Sequence, residues 1–245
     1  MIIDLIKPDW PAPVNIFACS TTRQGGYSQA PYHHLNLADH VGDDIADVAS
    51  NREYLSKTLQ WVQEPAWLQQ THSVTVVELT GTQTLSQPAD ASYTRKPGQV
   101  CVVLSADCLP ILVCDRAGRS VAAIHAGWRG LAAGIVEQTL RKLKIDSSEL
   151  LVWFGPAIGP EHFEVGEEVR NIFVSQNEAT AAAFQQNSAR KYFADIFEIA
   201  RIRLHALGVN EVYGGHWCTY ADSSKFFSYR RDQVTGRIAT LISIA

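Results

Sequence analysis

Three apolar runs near the middle of the chain constrain the fold more than any other feature of the sequence. They cover residues 99–105, 109–114 and 120–124 and are rich in Val, Ile, Leu and Ala. Runs of this length and composition are typical of strands that are buried on both faces. The segment between the second and third runs, Asp-Arg-Ala-Gly-Arg at 115–119, is a turn of hairpin length. The sequence therefore predicts a buried β-hairpin and one further core strand.

Predicted strands and helices are interspersed along the rest of the chain. Strands are expected at 13–20, 66–69, 74–79, 150–154, 211–213 and 238–244. Helices are expected at 44–59, 131–144, 166–175 and 195–207, and the polar stretch 175–189 has the pattern of a helix with frayed ends. This order predicts an α/β (mixed α+β) fold in which mixed β-sheets carry helices on their outer faces. Because no repeat, low-complexity tract or linker divides the chain, we expect one domain spanning 1–245.

The composition argues against several classes of function. A formal net charge of −4 offers no basic field for a phosphate backbone, so nucleic acid is not an expected partner. No segment approaches the ~20 continuous apolar residues of a membrane span, so no membrane partner is expected either. The five cysteines are odd in number, and the first residues lack the pattern of a signal peptide. We therefore expect free thiols in a cytoplasmic protein.

The predicted hairpin brings a cysteine and a histidine together. If its tip is centred on Ala117, paired residue numbers sum to about 234, and Cys108 lies opposite residue 126, one position from His125. A neighbouring Cys and His suit either a thiolate nucleophile with an imidazole base or a metal site. The metal site requires a third ligand, and His72, at the end of another predicted strand segment, is the candidate.

The sequence favours the metal interpretation over the thiol nucleophile. Two His and one Cys suit zinc and leave a fourth tetrahedral position for water or substrate, which is the catalytic rather than the structural arrangement. His72, Cys108 and His125 are therefore predicted both to bind the metal and to be the catalytic residues. Cu²⁺ is the expected substitute, because the same N and S ligands bind copper more tightly than zinc.

Polar residues near this group are candidate substrate ligands. Arg129 stands at the start of the helix that follows His125, where backbone amides and a guanidinium together suit an anion. An ordinary surface ion pair is the alternative for Arg129. Arg23, in a Gly-rich loop, and Arg230, after an aromatic run, can serve in the same way. Asp107 is an orienter of a ligating His, an acid/base group or a loop cap.

Ordered motifs along nearly the whole chain match those of one known family. They are STTRQGG at 20–26, LNL at 35–37, NREYL at 51–55, QQTH at 69–72, ADASY at 89–93, ADCLP at 106–110, HAGWRG at 125–130, GPAIGPEHFEVGEEV at 155–169 and FFSYRRDQVTGR at 226–237. In these motifs the sequence resembles the YfiH family, also called the laccase-domain or multicopper polyphenol oxidoreductase family. Asn36 and Gln70, which lie within the motifs, join the candidate substrate-binding residues.

The resemblance implies a fold, a cofactor and a set of activities. The fold is a layered sandwich similar to the catalytic domain of cytotoxic necrotizing factors, and the cofactor is zinc on His72, Cys108 and His125. The activities are phosphorolysis of adenosine, inosine and S-methyl-5′-thioadenosine and deamination of adenosine, with a purine nucleoside and phosphate as the small-molecule partners. Zinc chemistry suits deamination directly, because the metal activates water for attack on the adenine ring.

Three alternatives remain at this stage. One is an amidase or hydrolase that edits peptidoglycan by acting on muramyl–amino-acid precursors, through the metal or through Cys108 as nucleophile. Another is a polyphenol oxidase activity of a copper-loaded form. A true multicopper laccase is disfavoured, because such sites use H-x-H pairs and the eight histidines here form none. The third is an interaction module with structural zinc, against which three ligands rather than four argue.

Overall fold

The computed structural model describes residues 2–61, 63–81, 88–187 and 190–245. Its strands are β1 (Leu5–Ile6), β2 (Ile16–Thr21), β3 (Val76–Glu78), β4 (Ala91–Thr94), β5 (Val100–Ser105), β6 (Leu109–Asp115), β7 (Val121–Ala126), β8 (Leu150–Phe154), β9 (Glu164–Val165), β10 (Phe184–Gln186), β11 (Tyr192–Ala194), β12 (Val212–Gly214) and β13 (Ile238–Ile244). Its helices are α1 (Ile45–Leu59), α2 (Trp128–Ala133), α3 (Ile135–Leu143), α4 (Glu167–Gln176), α5 (Ile196–Ala206) and α6 (Tyr229–Asp232). None of these helices is long and apolar enough to span a bilayer.

Two large sheets form the centre of the molecule. A six-stranded mixed sheet has the order β12-β8-β6-β7-β4-β3, and a four-stranded antiparallel sheet has the order β1-β2-β13-β5. The two sheets pack face to face, with β5 and β13 against β7. Helices α3 and α5 cover the other face of the six-stranded sheet, and α1 packs beside the outer face of the four-stranded sheet. The prediction of a mixed α/β fold with helices outside its sheets is confirmed.

Alternate side chains of the central strands enter different layers of the core. Along β6, Leu109, Ile111 and Val113 pack toward the helices, whereas Leu112 and Cys114 pack toward the four-stranded sheet. Every residue of β5, β6 and β7 is buried. Burial on both faces explains why these segments are apolar throughout, since each large aliphatic side chain stabilises the fold by about 1.5–3 kcal/mol when it leaves water.

The hairpin of β6 and β7 forms as predicted, with a register one residue from the expected one. Pro110 pairs with His125, and Leu109 pairs with Ala126. The register is fixed at the turn by Asp115, whose Oδ1 accepts hydrogen bonds of 2.7 Å from the backbone N–H groups of residues 119 and 120. Because the turn fixes one end of the hairpin, it also determines which residues meet at the other end.

Two predicted elements around the site are corrected by the structure. The helix expected at 131–144 begins earlier, at Trp128, and is interrupted at Gly134, which has a φ of 95° and ends α2 in a left-handed conformation. Residues 66–69 form no strand. Beside them, the Gln70 side-chain amide pairs with both backbone groups of Leu104 at the end of β5, at 2.7 and 2.8 Å.

Two further differences lie outside the hairpin. Strand β4 was not predicted, although it lies between β7 and β3 in the larger sheet, because ASYT is short and mostly small or polar. The stretch 175–189, expected to be a frayed helix, forms a 3-10 turn at Glu178–Ala183 followed by β10. Asn177 separates this turn from α4, because its side chain accepts a hydrogen bond from the Ala179 N–H. Residues 188 and 189 lie outside the described residues.

Candidate active site

His72, Cys108 and His125 converge at one end of the core between the two sheets. Cys108 directly precedes β6 and His125 lies near the end of β7, so the Pro110–His125 register places them side by side. His72 comes from the loop before β3. One ligand atom from each residue lies within 4.8 Å of the other two, and Cys108 Sγ is 3.5 Å from His72 Nε2. The structure thus brings together the three residues that the sequence analysis singled out.

The geometry of this group fits a tetrahedral metal ion. Zinc bonds of ~2.3 Å to sulfur and ~2.0–2.1 Å to nitrogen, at a tetrahedral angle, separate the two donor atoms by about 3.5 Å. That is the observed distance from Cys108 Sγ to His72 Nε2, 3.5 Å. The group is closely enclosed on the side of Gly127, where an added Cβ would lie 2.6 Å from His72 Cδ2 and 2.8 Å from Cys108 Sγ. Three protein ligands leave one coordination position for a small ligand.

We expect Gly127→Ala to weaken metal binding strongly. The new methyl group would push His72 and Cys108 away from the common point, since neither distance is one that real Cβ atoms tolerate. Metal content and zinc affinity, measured by competition with a chromophoric chelator, should fall by at least about tenfold. Gly130→Ala is the matched control, because its Cβ would come no closer than 3.3 Å to any atom, the Ser73 carbonyl oxygen. Equal zinc affinity in both variants would contradict the prediction.

Asp90 hydrogen-bonds to His125 and to the backbone of His72, and it is fully buried. Its Oδ1 accepts a 2.8 Å hydrogen bond from His125 Nδ1, which leaves Nε2 of that ring for a metal. The same carboxylate accepts hydrogen bonds from the backbone N–H groups of Thr71, His72 and Ser73 at 3.1, 2.9 and 2.6 Å. Asp90 therefore fixes both the ring of one ligand and the loop that carries another. Asp90 was not a candidate from sequence, and its only signal there is a place within the ADASY motif.

Mutual interactions favour the charged forms of Asp90, Cys108 and His125. Burial alone would raise the pKa of Asp90, but hydrogen bonds from His125 and Ser73 outweigh it and hold the pKa at about 2. Burial likewise opposes the Cys108 thiolate, but the charges and hydrogen bonds of His125 and His72 lower its pKa to about 6. Burial disfavours the His125 imidazolium, yet Cys108 and Asp90 raise its pKa to about 9. Each charge favours the other, so the Cys108 thiolate and the His125 imidazolium stabilise one another when no metal is bound.

We expect iodoacetamide to alkylate Cys108 in metal-stripped protein in preference to the three cysteines of the core. Its thiolate predominates above a pH of about 6 and is lost by protonation below it, so the alkylation rate should fall through that pH. The three core cysteines should not react, because burial raises each of their pKa values to about 12: Cys19, Cys101 and Cys114. Peptide mapping by mass spectrometry gives the site and rate. Added zinc should protect Cys108, and a rate that zinc leaves unchanged would contradict a shared site.

A cavity of about 510 Å³ opens above the three ligands. Four of the six candidate substrate-binding residues line it: Gln70, Asp107, Arg129 and Arg230. Its wall also contains an apolar part formed by Leu104, Ile158, Phe163 and Ile196. A further cation, Arg237, also lines the cavity, together with the polar residues His40, Ser105 and Tyr229, and none of these four was a candidate from sequence. The cavity therefore combines an apolar wall with several cationic groups around the candidate metal centre.

Two of the predicted substrate ligands hold the walls of the cavity in place. The Asp107 carboxylate accepts hydrogen bonds from Thr219 Oγ1 at 2.6 Å, Ser228 Oγ at 3.1 Å and the Arg230 backbone N–H at 2.7 Å. These contacts are those of a loop cap, one of the three roles predicted for Asp107. Gln70 uses both ends of its amide on Leu104. The backbone is left-handed at His72 (φ 60°) and Asp107 (φ 89°), a strained conformation that tends to cluster at functional sites.

Arg23 and Asn36 do not line the cavity, so their roles as substrate ligands stay predictions. The Arg23 guanidinium donates to the carbonyls of residues 33 and 223 and lies over the Phe227 ring, 4.7 Å from its centroid. Asn36 is fully buried, donates to Asp43 Oδ2 at 2.9 Å and accepts from the Arg237 backbone N–H at 2.9 Å. Their contacts fix the surrounding loops.

The fold and site define a layered α/β protein with a His–Cys–His group that can hold a metal ion. The family model described as multi-copper polyphenol oxidoreductase laccase matches residues 17–245, and the chain belongs to this family. A solved protein of Neisseria meningitidis superposes with a TM-score of 0.92 at 44% identity, covering 98% of both chains. The YfiH protein of Bacillus licheniformis has a TM-score of 0.87 at 28% identity, covering 94% of this chain and 93% of the other. The resemblance seen in the motifs is confirmed.

Curated relatives match along almost their whole length. A protein of Pseudomonas aeruginosa named purine nucleoside phosphorylase is 52% identical over 238 residues, which are 97% of this chain and 97% of the relative. The purine nucleoside phosphorylase YfiH of Escherichia coli is 50% identical over 238 residues, 97% of this chain and 98% of the relative.

Proposed function

We propose that this chain is a zinc-dependent purine nucleoside phosphorylase that also deaminates adenosine. Adenosine, inosine and S-methyl-5′-thioadenosine are its proposed nucleosides. The observation that carries the proposal is the convergence of His72, Cys108 and His125 at the base of a cavity of about 510 Å³, a volume typical of small-molecule sites. The names of the relatives from Pseudomonas aeruginosa and Escherichia coli support the same activity. All five cysteines are free, which supports a cytoplasmic location.

The chain's own residues supply binding, orientation and exclusion of water. The apolar wall of Leu104, Ile158, Phe163 and Ile196 can cover the purine and keep water from the reacting bond. Arg129 and Arg230 line the cavity and are exposed, so their charges attract an anionic co-substrate toward it. Asp90 holds the His125 ring in place through its Nδ1. A zinc ion on the three ligands supplies a Lewis acid at the base of the cavity.

Phosphorolysis balances with hydrogen phosphate as the second substrate. A phosphate oxygen forms a bond to C1′ while the C1′–N9 bond breaks, and the electron pair of that bond stays on the purine. The proton of HPO₄²⁻ ends on the purine, so the products are the free base and ribose 1-phosphate. Positive groups near the phosphate lower the barrier by holding the nucleophile against C1′.

The test combines a metal analysis with adenosine turnover in phosphate buffer and in phosphate-free buffer. We expect about one zinc per chain, adenine and ribose 1-phosphate when phosphate is present, and inosine in its absence. Stripping the metal should stop both reactions, and zinc should restore them. Absence of nucleoside turnover by zinc-loaded protein under both conditions would overturn the proposal.

The same samples separate the alternative activities. Reloading one preparation with copper and assaying phenol oxidation shows whether oxidase activity follows the metal rather than the protein. A muramyl–amino-acid amide serves as the third substrate. Its hydrolysis by protein that leaves nucleosides unchanged would favour the amidase, and activity that survives a chelator would favour Cys108 as nucleophile.

A further inference from the structure

Arg237 and Ser105 meet at the end of the four-stranded sheet, beside the candidate metal centre. Ser105 is the last residue of β5, and its register partner is Ile238, the first residue of β13. Arg237 immediately precedes Ile238, so the register places it next to Ser105. Both residues line the cavity that contains Cys108. Neither was a candidate in the sequence, because only the pairing of β5 with β13 joins them.

The Ser105 hydroxyl is buried without a hydrogen-bond partner. The residue is 1% exposed, and its Oγ contacts no donor or acceptor in the described part of the chain. By contrast, Ser20 and Thr240, buried hydroxyls in the same sheet, pair with each other at 2.9 Å. Along β5, Cys101 and Val103 enter the core between the sheets, and Ser105 continues that face to the cavity. A buried hydroxyl without a partner is unfavourable unless a ligand or water completes it.

The Arg237 guanidinium likewise has N–H donors without an acceptor. Its Nη1 donates to the carbonyl oxygens of Thr235 and Gly236 at 2.8 and 2.9 Å, which fixes the plane of the group. Its Nε and Nη2 have no acceptor, and no carboxylate lies within ion-pair distance, among residues 2–61, 63–81, 88–187 and 190–245. The residue is half-buried, unlike Arg129 and Arg230, which are exposed. Cys108 and Asp107 lie close enough to stabilise its charge, but neither forms a hydrogen bond or ion pair with it in the described part of the chain, so its free donors can still bind an anion.

We propose that Arg237 and Ser105 form the site for the inorganic phosphate that attacks the nucleoside. The free Nε and Nη2 donors of Arg237 match two oxygens of a tetrahedral anion, and the Ser105 hydroxyl donates to a third. The site lies beside Cys108, so the phosphate oxygen that forms the C1′–O bond faces a nucleoside held over the metal centre. The proton of HPO₄²⁻ leaves with the purine. This inference rests on the proposed function and names its phosphate site.

The experiment uses full-length, zinc-loaded protein and exploits the two proposed activities. Phosphorolysis requires phosphate, whereas deamination does not. We expect Arg237→Gln to raise the phosphate KM about 10- to 100-fold and Ser105→Ala to raise it about 3- to 10-fold, with adenosine deamination in phosphate-free buffer reduced by a much smaller factor than phosphorolysis. Arg237→Lys keeps the positive charge but lacks the paired donors of the guanidinium. Its phosphate KM should lie between those of wild type and Arg237→Gln. Arg141→Gln is the control, because Arg141 is an exposed residue of α3 that pairs with Gln138.

A binding measurement without nucleoside supports the kinetic one. Inorganic phosphate should raise the Tm of wild type and of Arg141→Gln but not that of Arg237→Gln. Ser105→Ala guards against a folding defect, since it removes a hydroxyl that stabilises no contact in the described structure. Its Tm without phosphate should equal that of wild type.

The outcomes separate this inference from the proposed function. If wild type performs both reactions and the variants keep its phosphate KM, the phosphate site is wrong and the proposed function stands. Equal loss of both activities by folded Arg237→Gln would also overturn it, because Arg237 would then hold the nucleoside. If wild type performs neither reaction, the proposed function fails, and the phosphate-dependent Tm decides alone: a rise absent from Arg237→Gln supports the anion site, and an equal rise overturns it.

Discussion

Replacing Cys108 by Ala is expected to remove the metal and to lower kcat/KM for nucleoside phosphorolysis by roughly 10³-fold. The thiolate is the only sulfur ligand of the group, and its loss leaves two imidazoles that cannot close a tetrahedral site. Loss of a Lewis acid at the reacting centre costs several kcal/mol of transition-state stabilisation, which corresponds to that factor. Metal analysis and steady-state kinetics measure the two effects on one sample.

The fold should survive this substitution, which makes the result specific to the site. Cys108 is half-buried and precedes β6 rather than filling the core. Cys218→Ala is the matched control: Cys218 is also half-buried, and its Sγ accepts hydrogen bonds from the backbone N–H groups of Gly159 and Ala221 at 3.2 and 3.4 Å. It should keep about one zinc per chain. Full metal content and full activity in Cys108→Ala would show that Cys108 is not a ligand.

The part of the site that sequence could predict is the part that local rules determine. A hairpin turn at Asp115 fixes the pairing of β6 with β7, and residue numbers alone then place Cys108 beside His125 to within one residue. The same strands are apolar on both faces, so their existence and burial were also predictable. His72 needed a weaker argument, a metal-competent side chain at the end of another predicted strand segment.

The residues that sequence missed act through contacts distant along the chain. Arg237 and Ser105 meet because β13 pairs with β5 across more than a hundred residues, and nothing in either segment indicates that register. Asn36 and Asp107 are polar residues that were predicted as substrate ligands, and in the structure both accept hydrogen bonds from loop backbone. Asn36 accepts from the segment before β13, and Asp107 accepts from the start of α6. The sequence shows which groups are present, and the tertiary structure decides which have free donors.

Asp90 is the clearest case of a residue that the sequence did not single out. We expect Asp90→Asn to weaken both the stability of the fold and metal binding. The carboxylate accepts from three successive backbone N–H groups and from His125, and an amide in its place turns two donors toward other donors. Removing a buried charge of this kind, while its hydrogen-bond partners stay buried, lowers the free energy of unfolding by about 2–4 kcal/mol. Zinc affinity should fall about 10- to 100-fold, as for other groups that orient a metal-binding His.

The pH dependence of stability gives this prediction an independent readout. The pKa of Asp90 is lowered from 3.8 to about 2 in the folded protein, so its contribution is complete above the unfolded value and is lost as the pH falls toward 2. That difference corresponds to about 2 kcal/mol of unfolding free energy. In urea titrations, the free energy of unfolding of the wild-type protein should fall by this amount between about pH 5 and 2. The free energy of unfolding of Asp90→Asn, which lacks the carboxylate, should depend less on pH over the same range.

Asp115→Asn separates the loss of a buried carboxylate from the loss of the site. Asp115 is also buried and accepts two backbone N–H groups, but it does so at the turn, at the opposite end of the same hairpin from His125. We expect it to lower the free energy of unfolding and to leave zinc affinity within about twofold of wild type. If both variants reduce zinc affinity equally, metal binding follows the stability of the hairpin, and Asp90 has no particular part in orienting His125. A fall confined to Asp90→Asn means that one carboxylate couples the loop of His72 to the strand of His125 and so holds the three ligands at one point.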